Sequence, residues 1–333
     1  MWDDGLLKKK RSRPSNLATF ITMSSPRFSI LIPTYNRQLL LKEAVDSVLA
    51  QTFSSYELIV IDNGSTDGTL SMLSSYGSKI NTLSESRRGG DVARSRGAAI
   101  STGEYIVLLD DDDLFFPNAL EVYSRIIEGL SAPALVLGAM AYFRHGSSPR
   151  PNSTCDNAIA YRSFVDFLSK DIPFRKANSR IVIKRSIAES TNALRAEPSM
   201  FPCDDANLLL LAGTVGPIVI VDKPYTVRYR VHDQNTIGKL AYMADSILAI
   251  ARREHHGDYP GGDVRRFDRY AFLGGCSLAF VQRALKELRI RLAFKLAFET
   301  KSMIVAATIN KLGRYFRTAT PVSWLRADAE AKN

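Results

Sequence analysis

The sequence predicts an α/β protein: a doubly wound domain with a mostly parallel central sheet and flanking helices, followed by a C-terminal helical region. Short β-rich apolar runs alternate with helical periods from Phe28 onward, a pattern that crossover helices between parallel strands produce. Three such strand–helix units fall within about 100 residues, the density of a doubly wound sheet. The chain of 333 residues, 45% hydrophobic and 23% charged, can bury one large core or two modest ones. This composition excludes a disordered chain, a collagen-like repeat and a disulfide-stapled miniprotein.

The elements follow in order. Residues 28–33 (FSILIP) read as a buried strand and 39–51 as an amphipathic helix. Residues 56–62 (YELIVID) give a second strand, then Asn63-Gly64-Ser65 turn chemistry and a helix opening near Thr66 or Asp67, both good capping residues. Residues 92–101 are helical until Thr102-Gly103, 104–109 (EYIVLL) form the next strand, and another helix begins near Asn118, just past Pro117. From 131 to 230 the pattern is mixed, with strands expected over 134–143, 180–184, 217–221 and 225–230 and helices over 161–170 and 204–212. Beyond Thr236 the pattern is helical throughout. There Leu285, Leu288, Leu292 and Leu296 make an apolar stripe flanked by Lys286, Arg289, Arg291 and Lys295, which either packs on the domain or lies on a membrane surface. Packing is the expectation. The chain thus divides into a disordered basic extension (1–26), a main domain (27–235), a helical C-terminal region (236–320) and a tail (321–333), with Met23 a candidate natural start.

The net charge of +10 is concentrated at the ends. Lys8, Lys9, Lys10, Arg11 and Arg13 outnumber Asp3 and Asp4 at the start, and eleven Lys and Arg face Glu287, Glu299, Asp328 and Glu330 beyond residue 280. The middle is neutral, which argues against a nucleic-acid groove and fits solvated faces or peripheral attraction to an anionic membrane. Cys155, Cys203 and Cys276 are odd in number and far apart, as suits a reducing compartment. The sequence has no apolar run of about 18 residues and no basic–apolar–small leader pattern. A cytoplasmic protein, peripheral at most on the inner face of the membrane, is expected.

Asp110, Asp111, Asp112 and Asp113 directly follow the third strand, at the carboxyl edge where open α/β sheets bind ligands. Four adjacent carboxylates repel one another and are costly to desolvate without a cation or protons. Such hard oxygen donors suit Mg²⁺ or Mn²⁺ and a phosphate-bearing partner; the bland alternative is a solvated acidic turn capping the next helix. An EF-hand is excluded because Leu114 and Phe115 stand where its loop needs an oxygen ligand and a glycine. Three weaker features converge on the same edge. Pro33-Thr34-Tyr35-Asn36 offers an aromatic face with hydroxyl and amide groups, Asp62 can accept the imide proton of a uracil or thymine, and Arg94 and Arg96 can meet a diphosphate.

FSILIPTYNR, ELIVIDNGSTDGT, ARSRGAAISTGEYIVLLDDDD with Pro117, and CDDANLLLLAGTVGPIVIVDKPYTVRYRVHDQN occur in that order between Phe28 and Asn235. Together they resemble glycosyltransferase family 2 on the Rossmann-like GT-A fold. The resemblance implies an inverting transfer from a nucleoside-diphosphate sugar, UDP- or dTDP-linked, with Mn²⁺ or Mg²⁺. It implies Asp110 and Asp112 as the metal-binding DxD, Asp112 being the direct ligand, and His232 near the metal or diphosphate. Pro33, Thr34, Tyr35, Asn36, Asp62, Arg94, Asp110 and Asp111 would contact the nucleotide sugar. Asp204-Asp205 occupies the place of the family's acidic pair, commonly Glu-Asp, with Asp205 expected as catalytic base. Asn63 stands where a second aspartate is usual, with little consequence expected. The acceptor would be a glycan or a lipid-linked saccharide, as in bacterial cell-surface polysaccharide synthesis. Two other readings fit less well: a sugar-phosphate nucleotidyltransferase, and a non-catalytic basic adaptor for membranes or polyanions. An oxidoreductase is weaker still, since Pro-Thr-Tyr-Asn replaces the Gly-x-Gly-x-x-Gly turn, and no P-loop, Gly-x-Ser-x-Gly elbow or His-Glu-x-x-His is present.

Overall fold

A computed structural model describes residues 25–144, 158–164, 168, 176–233, 235, 238–314 and 322–326. The expected extension before Ser25, Cys155 and most of the tail lie outside the described residues.

The first half alternates as the sequence predicts: β1 (Phe28–Thr34), α1 (Gln38–Leu49), β2 (Tyr56–Asp62), α2 (Thr69–Ser74), β3 (Asn81–Ser84), α3 (Gly90–Ala98), β4 (Tyr105–Leu108), β5 (Leu114–Phe115) and α4 (Ala119–Gly129). β6 (Leu135–Leu137), β7 (Met140–Phe143), β8 (Ile159–Phe164), β9 (Ile181–Lys184), α5 (Arg185–Thr191), α6 (Asp204–Ala212), β10 (Ile218–Lys223) and β11 (Val227–Arg230) follow. The C-terminal region holds α7 (Leu240–His256), α8 (Arg266–Lys286), α9 (Ile290–Glu299), α10 (Lys301–Arg314) and β12 (Ser323–Leu325).

Among the described residues, nine strands form one sheet in the order β12-β8-β10-β6-β9-β4-β1-β2-β3. Seven run in one direction, and β8 and β9 run against them. A smaller sheet, β5-β11-β7, stands beside it. Strand β1 shows how the layers arise, because successive side chains face opposite sides of the pleat. Phe28, Ile30 and Ile32 pack with α1 and α4, whereas Leu31 joins the core formed with α3, α6 and the C-terminal helices. That second core contains Ile247, Leu273, Leu296 and Met303, so α7–α10 share apolar packing with the sheet. At Gly274 a Cβ would collide with the Met303 carbonyl, so only glycine permits the close crossing of α8 and α10.

Three sequence expectations are corrected. Residues 159–164 are a strand, not the start of a helix over 161–170. Tyr161, Phe164 and Leu168 have helical spacing, but Phe164 pairs with Ile218 and Tyr161 with Val221, and cross-strand packing overrides the local pattern. The region beyond 236 also contains a strand, β12, which pairs with β8. The leucine stripe does not pack as a unit: Leu296 is fully buried, but Leu285 is 49% and Leu288 83% exposed. Helix α8 stops at Lys286 and Leu288 takes a left-handed backbone, so the stripe loses its helical phase midway. Among the described residues no helix is long and apolar enough to cross a membrane.

Candidate active site

Parallel register brings the motifs together. Thr34 lies opposite Asp62, and Leu31 opposite Leu108, so the residues just past β4 emerge beside the end of β1. The Thr34 hydroxyl accordingly donates to Asp111 Oδ2 at 2.8 Å. Strand order changes direction here, with β2 on one side of β1 and β4 on the other, the switch point at which open α/β sheets leave a crevice. A cleft of about 320 Å³ occupies this edge, lined in part by Pro33, Thr34, Tyr35, Arg94, Asp110, Asp111, Asp112, Asp204 and Asp205. Asn36, Asp62 and His232 are outside its lining.

The four aspartates have four different environments. Asp110 accepts from Arg94 Nη2 at 2.6 Å, and Asp111 accepts from Thr34 and, at 2.9 Å, from Arg37 Nη1. Asp112 Oδ2 meets Arg37 Nη1 at 2.6 Å and His232 Nε2 at 3.0 Å. Asp113 turns inward, fully buried, and accepts from the Ser179 hydroxyl and from the Arg230 backbone N–H at 2.8 Å. Burial raises the pKa of Asp110 and pushes Asp111 up to about 6, with Arg37 opposing and Asp112 adding to the latter shift. Asp113 is raised well above the ordinary range by burial and then by Asp112 and Asp110.

Arg94 crosses the cleft. Its Nη1 donates to Asp204 Oδ2 at 2.6 Å while its other arm holds Asp110, so one guanidinium joins α3, the acidic loop and α6. Burial alone would lower the Arg94 pKa, but the charges of Asp204 and Asp110 more than offset it. Arg96, two residues further on, is exposed, because a 3.6-residue period turns it away from the cleft. The Asn178 amide also lies within 3.4 Å of Asp204.

Asp205 is placed differently from its neighbour. Its Oδ1 accepts from the Ala206 N–H at 2.6 Å, an orientation fixed at the first turn of α6. Burial, then the charge of Asp204, pushes its pKa up to about 7. Asp205 lines both the charged cleft and a second cavity of about 520 Å³, which is mostly apolar and bounded by α6, α7, α8, β7 and β11.

At the opposite end, the Tyr35 ring is 44% exposed and carries the Arg88 guanidinium 3.8 Å above its centre. Asn36, with φ +51°, accepts the Thr66 N–H at 2.7 Å, and Asp62 accepts the Ser65 N–H at 3.2 Å. Both therefore brace the turn behind the cleft. Asn63 is not a passive replacement for an aspartate. Its amide donates to the carbonyls of Glu85 at 2.9 Å and Arg87 at 2.6 Å and accepts from the Gly89 N–H at 2.8 Å. An aspartate cannot make the two donations. Sequence reasoning missed Arg37, Arg88, Lys176 and Asn178, and it expected little of Asn63. Only Arg37 carried a signal, as the basic residue closing the PTYNR segment.

The donor chemistry fits a divalent ion shared with phosphate. A carboxylate oxygen of Asp112 and the His232 imidazole nitrogen lie side by side, and among the described residues no three such groups form a closed cage. Mg²⁺-type sites of this sort use one or two carboxylates and leave other positions to substrate phosphates.

Residues 29–191 match the family described as Glycosyl transferase family 2. An uncharacterized glycosyltransferase of Rickettsia typhi is 41% identical over 106 residues, 32% of this chain and 33% of that protein. The uncharacterized glycosyltransferase YibD of Escherichia coli is 32% identical over 101 residues, 29% of each. The matches thus span about a third of the length of these relatives. Among solved structures, S. aureus TarS superimposes with a TM-score of 0.58 at 15% identity, covering 86% of this chain and 55% of TarS. Its 1–349 fragment in complex with UDP-GlcNAc gives 0.57 at 15% identity over 91% of this chain and 98% of the fragment. These likenesses establish the GT-A fold, and the family match makes residues 29–191 of this chain a glycosyltransferase family 2 domain.

Proposed function

We propose that the protein is a metal-dependent inverting glycosyltransferase that moves a sugar from a uridine- or thymidine-diphosphate sugar to the hydroxyl of a glycan or lipid-linked acceptor. The observation that carries this reading is the cleft in which Asp110–Asp112 and Asp204–Asp205 face one another, bridged by Arg94. Paired carboxylates there can serve opposite ends of one displacement. Arg94 holds Asp204, and this leaves Asp205 to act at the boundary with the second cavity.

Asp205 takes the proton of the acceptor hydroxyl as that oxygen bonds to the anomeric carbon; the bond to the diphosphate oxygen breaks and the nucleoside diphosphate leaves with the electron pair. A base with a pKa of about 7 is half ionised near neutral pH and still a competent proton acceptor. Asp112 and His232 would hold Mn²⁺ or Mg²⁺, with Asp110 beside them on Arg94, and the ion when bound would stabilise negative charge on the departing diphosphate. Arg37 and Arg94 supply fixed positive charge on the same side, and the Tyr35 ring with Arg88 forms a flat platform suited to a nucleobase.

Peripheral attachment at the cytoplasmic face of a membrane belongs to this reading. Leu285, Leu288, Ile290, Phe294 and Phe298 are exposed alongside Lys286, Arg289, Arg291 and Lys295, a mixture suited to anionic lipid. A bacterial cell-surface polysaccharide pathway would supply such an acceptor.

The test is a calorimetric and product screen of nucleoside-diphosphate sugars with and without Mn²⁺. Metal-linked binding and release of a nucleoside diphosphate are expected. Release of pyrophosphate would instead indicate nucleotidyl transfer, and no binding of any sugar nucleotide would refute the proposal.

A further inference from the structure

The cavity on the far side of Asp205 has a composition unlike the cleft. Its wall includes Met243 and Ile247 of α7, Ala279 and Phe280 of α8, Met140 of β7, and Val231 just past β11. Among the described residues its charged and amide side chains, Lys176, Asp205 and Asn235, are all shared with the cleft. The charged and amide groups therefore gather at one end, where the proposed base sits, the other polar side-chain groups of the wall being the Tyr142 and Tyr229 hydroxyls and the Cys203 and Cys276 thiols, and the volume of about 520 Å³ lies within the range of roughly 300–1,000 Å³ typical of small-ligand pockets.

We infer that this cavity binds the apolar aglycone of an amphiphilic acceptor, an alkyl or aryl group carried close to the hydroxyl that receives the sugar. The inference rests on the proposed transferase function. A purely polar oligosaccharide would leave most of its hydroxyls facing thioether, methyl and phenyl groups without hydrogen-bond partners, whereas an alkyl chain is transferred out of water with gain. The position of Asp205 at the junction commits the occupant: one end must present a hydroxyl to the carboxylate while the remainder lies against α7 and α8. This also assigns Ala279 and Val231 a part in acceptor selection, since both are partly exposed wall residues whose enlargement fills the cavity without disturbing a packed core.

The experiment measures equilibrium binding of methyl, hexyl and octyl β-glucosides to the full chain by displacement of 8-anilinonaphthalene-1-sulfonate fluorescence. Wild type is compared with Ala279→Trp and Val231→Trp, and thermal unfolding checks that each variant folds. Affinity is expected to rise about three- to fourfold per methylene in wild type and to lose this dependence in both variants, with octyl glucoside weakened at least about tenfold. Equal binding of methyl and octyl glucosides by wild type, or octyl binding unaltered in both folded variants, overturns the inference. Calorimetry with uridine and thymidine diphosphates separates the two claims. Nucleotide binding with no chain-length dependence removes only the aglycone site, whereas absence of nucleotide binding removes the transferase function and the aglycone role with it.

Discussion

The two cavities that meet at Asp205 are built from opposite materials. On one side Arg37, Arg94, Asp110, Asp111 and Asp112 form a lattice of contacts between 2.6 and 2.9 Å, fixed by the ends of β1 and β4 and by α3. On the other, side chains of α7 and α8 offer mostly methyl, thioether and phenyl surface, with the charged groups gathered where the cavity meets the cleft. A charged site must have its geometry imposed by rigid elements, because an unpaired buried charge is costly. An apolar pocket requires only volume, and it arises where helices pack imperfectly against a sheet.

The largest expected effect falls on the boundary residue. Asp205→Asn should reduce transfer by about 10² to 10⁴-fold while nucleotide binding by calorimetry is preserved; near-normal turnover would break the distinction between Asp205 and Asp204. Because a base must be ionised and burial has moved this carboxyl from the ordinary 3.8 to about 7, the wild-type rate should fall as pH drops below about 7. The same shift has a stability consequence. The fold favours the neutral carboxyl, so the native state loses stability as pH rises between about 4 and 7. Asp205→Asn should therefore gain more in Tm over wild type at pH 8 than at pH 5.

On the charged side, Arg94→Met would leave Asp110 and Asp204 without their shared cation, and unfolding in urea should show a loss of about 3 kcal/mol. A loss below about 1 kcal/mol would mean that the lattice is looser than its distances imply. Asn63→Asp removes two donations to carbonyls and sets a carboxylate against them, so about 2 kcal/mol and weaker nucleotide binding are expected. Smallest is the membrane effect. Leu288→Ser or Phe294→Ser should lower cosedimentation with phosphatidylglycerol vesicles by about threefold each, with added salt weakening wild type as well. Unchanged binding, or equal binding to phosphatidylcholine, would locate membrane attachment elsewhere.

The charged side was legible in the sequence because its parts are local. FSILIP, YELIVID and EYIVLL announce β1, β2 and β4, and parallel register then dictates that Thr34, Asp62 and Asp110–Asp113 reach one edge. What could not be read was the partner of each group. That Asn63 fastens the 85–89 segment, or that Arg37 bridges Asp111 and Asp112, depends on contacts more than 20 residues apart in the chain. The apolar cavity left no trace, since Met243, Ile247 and Phe280 have the spacing of ordinary core helices. Strand β8 was misread because local periodicity carries no information about its partner, β10.

Asp113 gives the acidic loop a further property. Tethered from behind by Ser179 and the Arg230 amide, it acts as a rear anchor for the segment whose other three carboxylates face forward. Dipoles locked in advance need little reorientation when a cation arrives, and in water that reorientation is the principal energetic penalty of assembling charge. The loop would therefore meet an incoming diphosphate as a template set during folding, with its polarisation already in place.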